Sequence, residues 1–173
     1  SIAPGVSDIR LWDREKALNQ LGLPHNRPVV LFVGRLTGIK RPDLFVDLAK
    51  SLASSNQGAL CVFVGDGPLG EHLRDVAKDA ENLCLAGWQK DLGVVYAVAD
   101  VVVLCSDNEG MPLSLIEASL CAKAIVATNV GSVKEIIEDG VSGVLVPPGD
   151  AVALHDAVSR LLGDAAQRKL FGE

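Results

Sequence analysis

Short runs of wholly apolar residues recur along this chain, each followed by a helix-patterned segment. This alternation restricts the fold more than any other feature. The runs at 29–33, 60–64, 83–85, 101–104, 124–127 and 144–146 are continuous rather than alternating in polarity, the pattern of strands buried on both faces. The segments 42–54, 69–80, 91–97, 112–121, 133–137 and 151–162 read as helices. In the last, Leu154, Val158, Leu161 and Leu162 fall at i, i+4, i+7 and i+8 behind Asp150 as N-cap. Aromatic residues are only 4% of 173, so Val, Ile, Leu and Ala must fill the core. The pattern predicts an α/β fold, a Rossmann-like doubly wound parallel sheet with helices on both faces.

Residues 1–27 read differently, as a linker from a preceding domain with a short helix at 14–21. Residues 28–173 then form the folded domain. The chain opens on Ser1 and has no clear punctuation at either end, so a piece of a longer protein is expected.

Charge and composition exclude several classes. The formal net charge is -6, which argues against nucleic-acid binding through a basic surface. An anionic ligand would need a local cationic patch. Cys61, Cys84, Cys105 and Cys121 have no metal spacing and read as buried small hydrophobes in a reducing compartment. His25, His72 and His155 have no companions at metal spacing and read as surface residues. No apolar stretch reaches about 18 residues, and no signal-peptide pattern is visible. The expected location is cytoplasmic, with any attachment to the inner membrane face made by segments outside this chain.

Ligands of such sheets lie beyond the carboxyl ends of the strands. The loop after the first strand, Gly34-Arg35-Leu36-Thr37-Gly38-Ile39-Lys40-Arg41, brings three cations there. Forked arginine and mobile lysine donors suit a diphosphate; the alternative is a solvated surface loop. The ending of a Walker A loop is absent, and so is GxGxxG. A second loop, 106–111, precedes Pro112 as the expected first helical residue. Free amides at a helix start bind anions, and Gly110 allows close approach, so the amides of Met111 and Leu113 are candidates for phosphate contact. On this helix Leu113, Ile116 and Leu120 define the expected core stripe. Glu117 lies about 40° from Leu113 at about 100° per residue, on the stripe's edge. Its carboxylate suits a ribose diol or a structural salt bridge to Arg35 or Lys40. Glu109 reads either as an acceptor for sugar hydroxyls or as an exposed loop acid.

Four motifs stand in a fixed order: Val33-Gly34-Arg35-Leu36 with Lys40, Val64-Gly65-Asp66-Gly67-Pro68, the Glu109-x7-Glu117 pair, and Glu135-Ile-Ile-Glu-Asp-Gly-Val-Ser-Gly-Val-Leu-Val-Pro. Together they resemble retaining glycosyltransferases of the GT-B fold, and most closely glycosyltransferase family 4, the glycosyl transferases group 1. The resemblance covers residues 3–162. It implies the carboxy-terminal, donor-binding domain, one half of a GT-B enzyme whose other domain supplies the acceptor site.

The resemblance also implies roles for particular residues. Arg35 and Lys40 would hold the donor diphosphate, with amides around Gly110, Met111 and Leu113. Glu109, Gly110, Met111 and Pro112 would contact the donor sugar, Glu117 the ribose, and Leu85 and Gly87 the base. Catalysis would rest on Arg35, Lys40 and Glu109, with no metal and no cofactor. Ala122-Lys123-Ala124 departs from a usual Gly-x-Pro, Ser132 from the second glycine of a usual pair, and Cys105 from a common Pro. The family's last helix, crossing back to the first domain, is expected to lie outside this chain.

The implied function is transfer of a sugar from a nucleotide-diphospho-sugar to a glycan, lipid or small-molecule acceptor, in glycan or polysaccharide biosynthesis. The isolated domain would bind donor weakly and be inactive. The rivals are a non-catalytic sugar-nucleotide-binding module and a GT-B nucleotide-sugar 2-epimerase.

Overall fold

The computed structural model describes residues 9–173. Six strands form one parallel sheet: β1 (Val29–Val33), β2 (Leu60–Val64), β3 (Leu83–Gly87), β4 (Val101–Leu104), β5 (Ala124–Thr128) and β6 (Val144–Val146). Their spatial order is β3-β2-β1-β4-β5-β6. The winding reverses at β1, which pairs with β2 on one side and β4 on the other. The crevice between the loops that follow β1 and β4 is where a doubly wound sheet of this order offers a ligand site.

Every residue of β2, β4 and β5 is buried, which explains the continuous apolar runs. One face is covered by α2 (Pro42–Ala53), α3 (Gly70–Lys78), α7 (Ala151–Leu162) and α8 (Ala165–Gly172). The other carries α1 (Arg14–Leu21), α4 (Leu92–Ala97), α5 (Leu113–Leu120) and α6 (Val133–Ile136). The core is mainly aliphatic; its aromatic members are Tyr96, Phe171 and one cluster of three rings. The rings of Phe32, Phe45 and Phe63 stand 4.7–5.4 Å apart, tilted or edge-on, an arrangement their quadrupoles favour.

Three expectations change. Ala17, Leu18 and Leu23 are buried in the second core, so part of the expected linker belongs to the packed unit. Helix α8 has no counterpart in the sequence reading; Phe171 is its one buried side chain. The stripe expected on α5 is not its core face. Leu115 and Ala118 are buried, whereas Leu113 is 43% and Leu120 51% exposed. A helix reading Leu-Ser-Leu-Ile-Glu-Ala-Ser-Leu is apolar almost all round, so periodicity alone cannot choose its face.

After α5, Ala122 takes φ 55°. A β-carbon there costs about 1 kcal/mol relative to glycine, which accounts for the glycine usual in the resembling family. Cys61, Cys105 and Cys121 are buried, Cys84 is half-buried, and all four are free. No helix among the described residues is long and apolar enough to cross a membrane.

Candidate functional site

A cleft of ≈ 740 Å³ opens at the carboxyl edge of the sheet, within the roughly 300–1,000 Å³ common for small-molecule sites. The loop after β1 lines it with Arg35 and Lys40, the loop after β2 with Gly65, Asp66 and Gly67, and the start of α5 with Met111, Pro112, Leu113 and Ser114. Glu117 reaches it from the second turn of α5, while Trp88 and Gln89 close the side beyond β3. The loops after β1 and β2 pack backbone to backbone. A β-carbon on Gly65, at φ 143°, would stand 1.9 Å from the Gly34 carbonyl oxygen, so only glycine permits this approach.

Helix α5 begins one residue later than expected. Pro112 has ψ 88° and sits before the first turn. Its carbonyl accepts from the amides of Leu115 and Ile116. The amides of Leu113 and Ser114 therefore lack intrahelical acceptors at a point that lines the cleft. Leu113 and Glu117 do share a face of the helix, but that face looks into the cleft rather than the core.

The two glutamates are held in different ways. Glu109 is only 8% exposed, not the exposed loop acid weighed as an alternative. Its Oε1 accepts from Lys40 Nζ at 2.5 Å and from Ser106 Oγ at 2.6 Å. The carboxylate thus sits behind Lys40 and does not itself line the cleft. Gly131 backs the same loop: its β-carbon would stand 1.8 Å from the Glu109 carbonyl oxygen. Ser132 donates its hydroxyl to the Gly110 carbonyl and its amide to the Glu109 carbonyl.

Glu117 makes neither of the ion pairs considered for it. Its Oε2 accepts from the Tyr96 hydroxyl at 2.8 Å. Burial pushes its carboxyl above the ordinary 4.5, and the Tyr96 hydrogen bond opposes that rise. Tyr96 was not singled out from the sequence. It is the only tyrosine of the chain and is wholly buried in α4, and a phenol in that setting needs a polar partner.

Other candidates fall outside the cleft wall. Arg41, grouped with Arg35 and Lys40 in sequence, is paired with Asp43 and Asp107, each at 3.0 Å. Leu85 packs against the phenylalanine-bearing core. Gly87 gives its carbonyl to the Gly65 amide. Neither lines the cleft; Trp88 and Gln89, missed in the sequence, do. Among the described residues no cluster of three or more His, Cys, Asp or Glu is placed to hold a metal.

This geometry can neutralise a polyanion with Arg35, Lys40 and the free amides of α5. It can also offer a half-buried carboxylate to hydroxyls a few ångströms away. Known proteins share the frame. A D-inositol 3-phosphate glycosyltransferase of Saccharomonospora viridis is 33% identical over 177 residues, 93% of this chain and 41% of that protein. The chain spans about two fifths of the length of the curated relatives it matches. The fold matches Anabaena Alr3699/HepE, solved in complex with UDP-glucose, with a TM-score of 0.81 at 24% identity, over 99% of this chain and 46% of that one. It also matches the C-terminal domain of the glycosyl transferase group 1 protein LpcC from Francisella tularensis. There the TM-score is 0.81 at 21% identity, over 97% of this chain and 92% of that domain. The family model for glycosyl transferases group 1 matches residues 13–173, and the chain belongs to that family.

Proposed function

We propose that this chain is the donor-binding, carboxy-terminal half of a retaining glycosyltransferase, and that its cleft holds a nucleoside diphosphate sugar. One observation carries the reading. Arg35, Lys40, the free amides of Leu113 and Ser114, and a half-buried Glu117 all open onto one cleft at the switch point of the sheet. A diphosphate placed against the cations and amides puts a ribose within reach of Glu117. The Anabaena neighbour is a UDP-glucose complex on the same fold, in keeping with this assignment.

Negative charge gathers on the leaving diphosphate as the bond to the sugar breaks. Arg35, Lys40 and the start of α5 stabilise that charge in the transition state, with no metal required. Glu109 orients the sugar and holds Lys40 in place; it is not assigned as a nucleophile. Met111 and Pro112 flank the sugar, and Trp88 and Gln89 adjoin the base. The acceptor meets a second domain. The isolated chain binds donor weakly and transfers nothing.

Arg35→Ala and Glu117→Ala in the full-length enzyme test the assignment. Each is expected to weaken donor binding at least about tenfold, the scale of one charge-assisted hydrogen bond. Transfer should fall further for Arg35→Ala and survive chelator in the parent. Unchanged donor affinity and transfer in both variants would sink the assignment. Calorimetry with UDP, GDP and ADP, with and without their sugars, identifies the base.

A further inference from the structure

A separate cavity of ≈ 380 Å³ lies at the opposite, amino-terminal edge of the sheet, where β4 and β5 begin. It shares no residue with the cleft described above. Arg14, Lys123, Arg168 and Lys169 line it against the single carboxylate of Asp100. The formal excess is three positive charges, in a chain whose net charge is -6.

The carboxylate is already committed. Asp100 takes both arms of Arg14, at 2.9 and 3.2 Å, and the Val29 amide at 2.7 Å. That leaves Lys123, Arg168 and Lys169, none of which pairs with a carboxylate among the described residues. Lys123 is half-buried, and its Nζ donates to the Ala99 carbonyl at 3.1 Å, leaving two of three ammonium donors unused. Burial holds its pKa down, and Arg14 adds to that, against the opposing pull of Asp100. Taking a cation out of water is costly; Asp100 offsets only part of that cost, and an anion in the cavity offsets more.

Arg168 supplies direction. Its Nη1 donates to the carbonyls of Leu161 and Leu162 at 2.7 and 2.9 Å, which fixes the guanidinium plane at the end of α7. Two ammonium groups and a fixed guanidinium match a group with several charged oxygens better than a single carboxylate. At the rim, Leu11 and Trp12 are 42% and 40% exposed, giving an apolar contact beside the charge.

We infer that this cavity binds a phosphoryl group, borne by a ligand whose neighbouring atoms rest on Leu11 and Trp12. A lipid headgroup and a soluble phosphate ester share that chemistry. The inference does not rest on the proposed transfer reaction, because it uses other residues at the other edge of the sheet.

The chain has two tryptophans, Trp12 in this cavity and Trp88 in the cleft. Trp88→Phe therefore leaves Trp12 as the sole tryptophan reporter. Titrating that protein with inorganic phosphate at fixed ionic strength should change Trp12 emission saturably. Lys123→Met and Lys169→Glu should each weaken the response about tenfold. Lys169 is exposed, so its variant tests the site without threatening the fold, and unchanged melting temperatures check both. An unmoved Trp12, or a phosphate affinity in both lysine variants unchanged from that of the Trp88→Phe protein, overturns the proposal. So does a phosphate response seen only by Trp88 in Trp12→Phe protein, which would belong to the cleft. Sedimentation with phosphatidylcholine vesicles, with and without phosphatidic acid, then separates the sources. Retention on phosphatidic acid that is lost in Lys169→Glu assigns a lipid headgroup, and a phosphate response without retention assigns a soluble ester.

Discussion

Glu109 and Glu117 lie eight positions apart and within one loop–helix unit, yet their surroundings are unlike. Glu109 is buried against a cation, with Lys40 and Ser106 converging on one oxygen. Glu117 is half-buried against a neutral phenol, with no cation in ion-pair reach among the described residues. A buried carboxylate with a counter-charge is part of the framework, and removing it strands the partner. A carboxylate held by one neutral donor keeps acceptor capacity for a ligand, and its protonation responds to its surroundings.

The largest expected effect tests that division directly. Glu109→Gln leaves the Lys40 ammonium without its counter-charge. The Lys40 side chain is 26% exposed and that of Glu109 only 5%, so the loss should be about 2–3 kcal/mol, below that of a fully buried pair. Glu117→Gln removes a desolvated charge and keeps an acceptor for Tyr96. Its stability change should stay within about 1 kcal/mol. Urea unfolding of the two variants measures both, and equal losses would break the comparison.

The next effect concerns acid. The folded-state pKa of Glu117 lies above the ordinary 4.5. The folded protein therefore holds an extra proton between that value and its own raised pKa. Stability from this group is full below 4.5 and is lost as pH rises through the folded pKa. Under the proposed role of Glu117, ligand binding runs the other way, since its ionised form would accept the ribose hydroxyls. Nucleotide affinity should fall with acidification at a higher pH than an ordinary glutamate would cause.

Tyr96→Phe sharpens the point. It removes the donor that favours the ionised form, so the fall should begin at still higher pH. Stability should drop by about 1–2 kcal/mol for the lost hydrogen bond. Calorimetric titration of nucleotide across pH, on wild type and variant, reads the displacement. An unshifted profile in Tyr96→Phe would remove Tyr96 from the site.

What the sequence told and withheld follows the same division. Strands buried on both faces leave a local trace, an unbroken apolar run, so all six strands were legible; only the carboxyl ends of β3 and β5, at Ala86-Gly87 and Thr128, ran past the apolar runs. Helix α8 left little trace because eight residues bury only Phe171. That Arg35, Lys40 and Glu117 meet at one crevice was legible through type and spacing; that Arg41 turns away to Asp43 and Asp107 was not. The burial of Glu109 was not, because its partner Lys40 is 69 positions away and a polar loop reads as exposed. The face of α5 was hidden by an excess of apolar residues, which turned the expected core position Leu113 into a cleft residue. Tyr96 gave the one unused signal, a lone phenol in an apolar helix. Trp88 and Gln89 gave none beyond following a strand.

The smallest effect asks how far the framework around Glu109 extends. Ser132 stands where the resembling family has the second of two glycines. Its hydroxyl donates to the Gly110 carbonyl, and its amide reaches the Glu109 carbonyl at 3.3 Å. Ser132→Ala removes the first bond and keeps the second. The Gly110 carbonyl loses a protein donor at an exposed position, where water replaces it. The cost should therefore be about 0.5–1 kcal/mol in urea unfolding, and nucleotide affinity should change by less than about threefold. If the loop is held mainly by the Lys40 ion pair and by the close approach of Gly131, these small values follow. A loss as large as that of Glu109→Gln would move the anchor of the loop from the buried ion pair to the Ser132 hydroxyl. The two glutamates would then differ in exposure but not in how their positions are fixed.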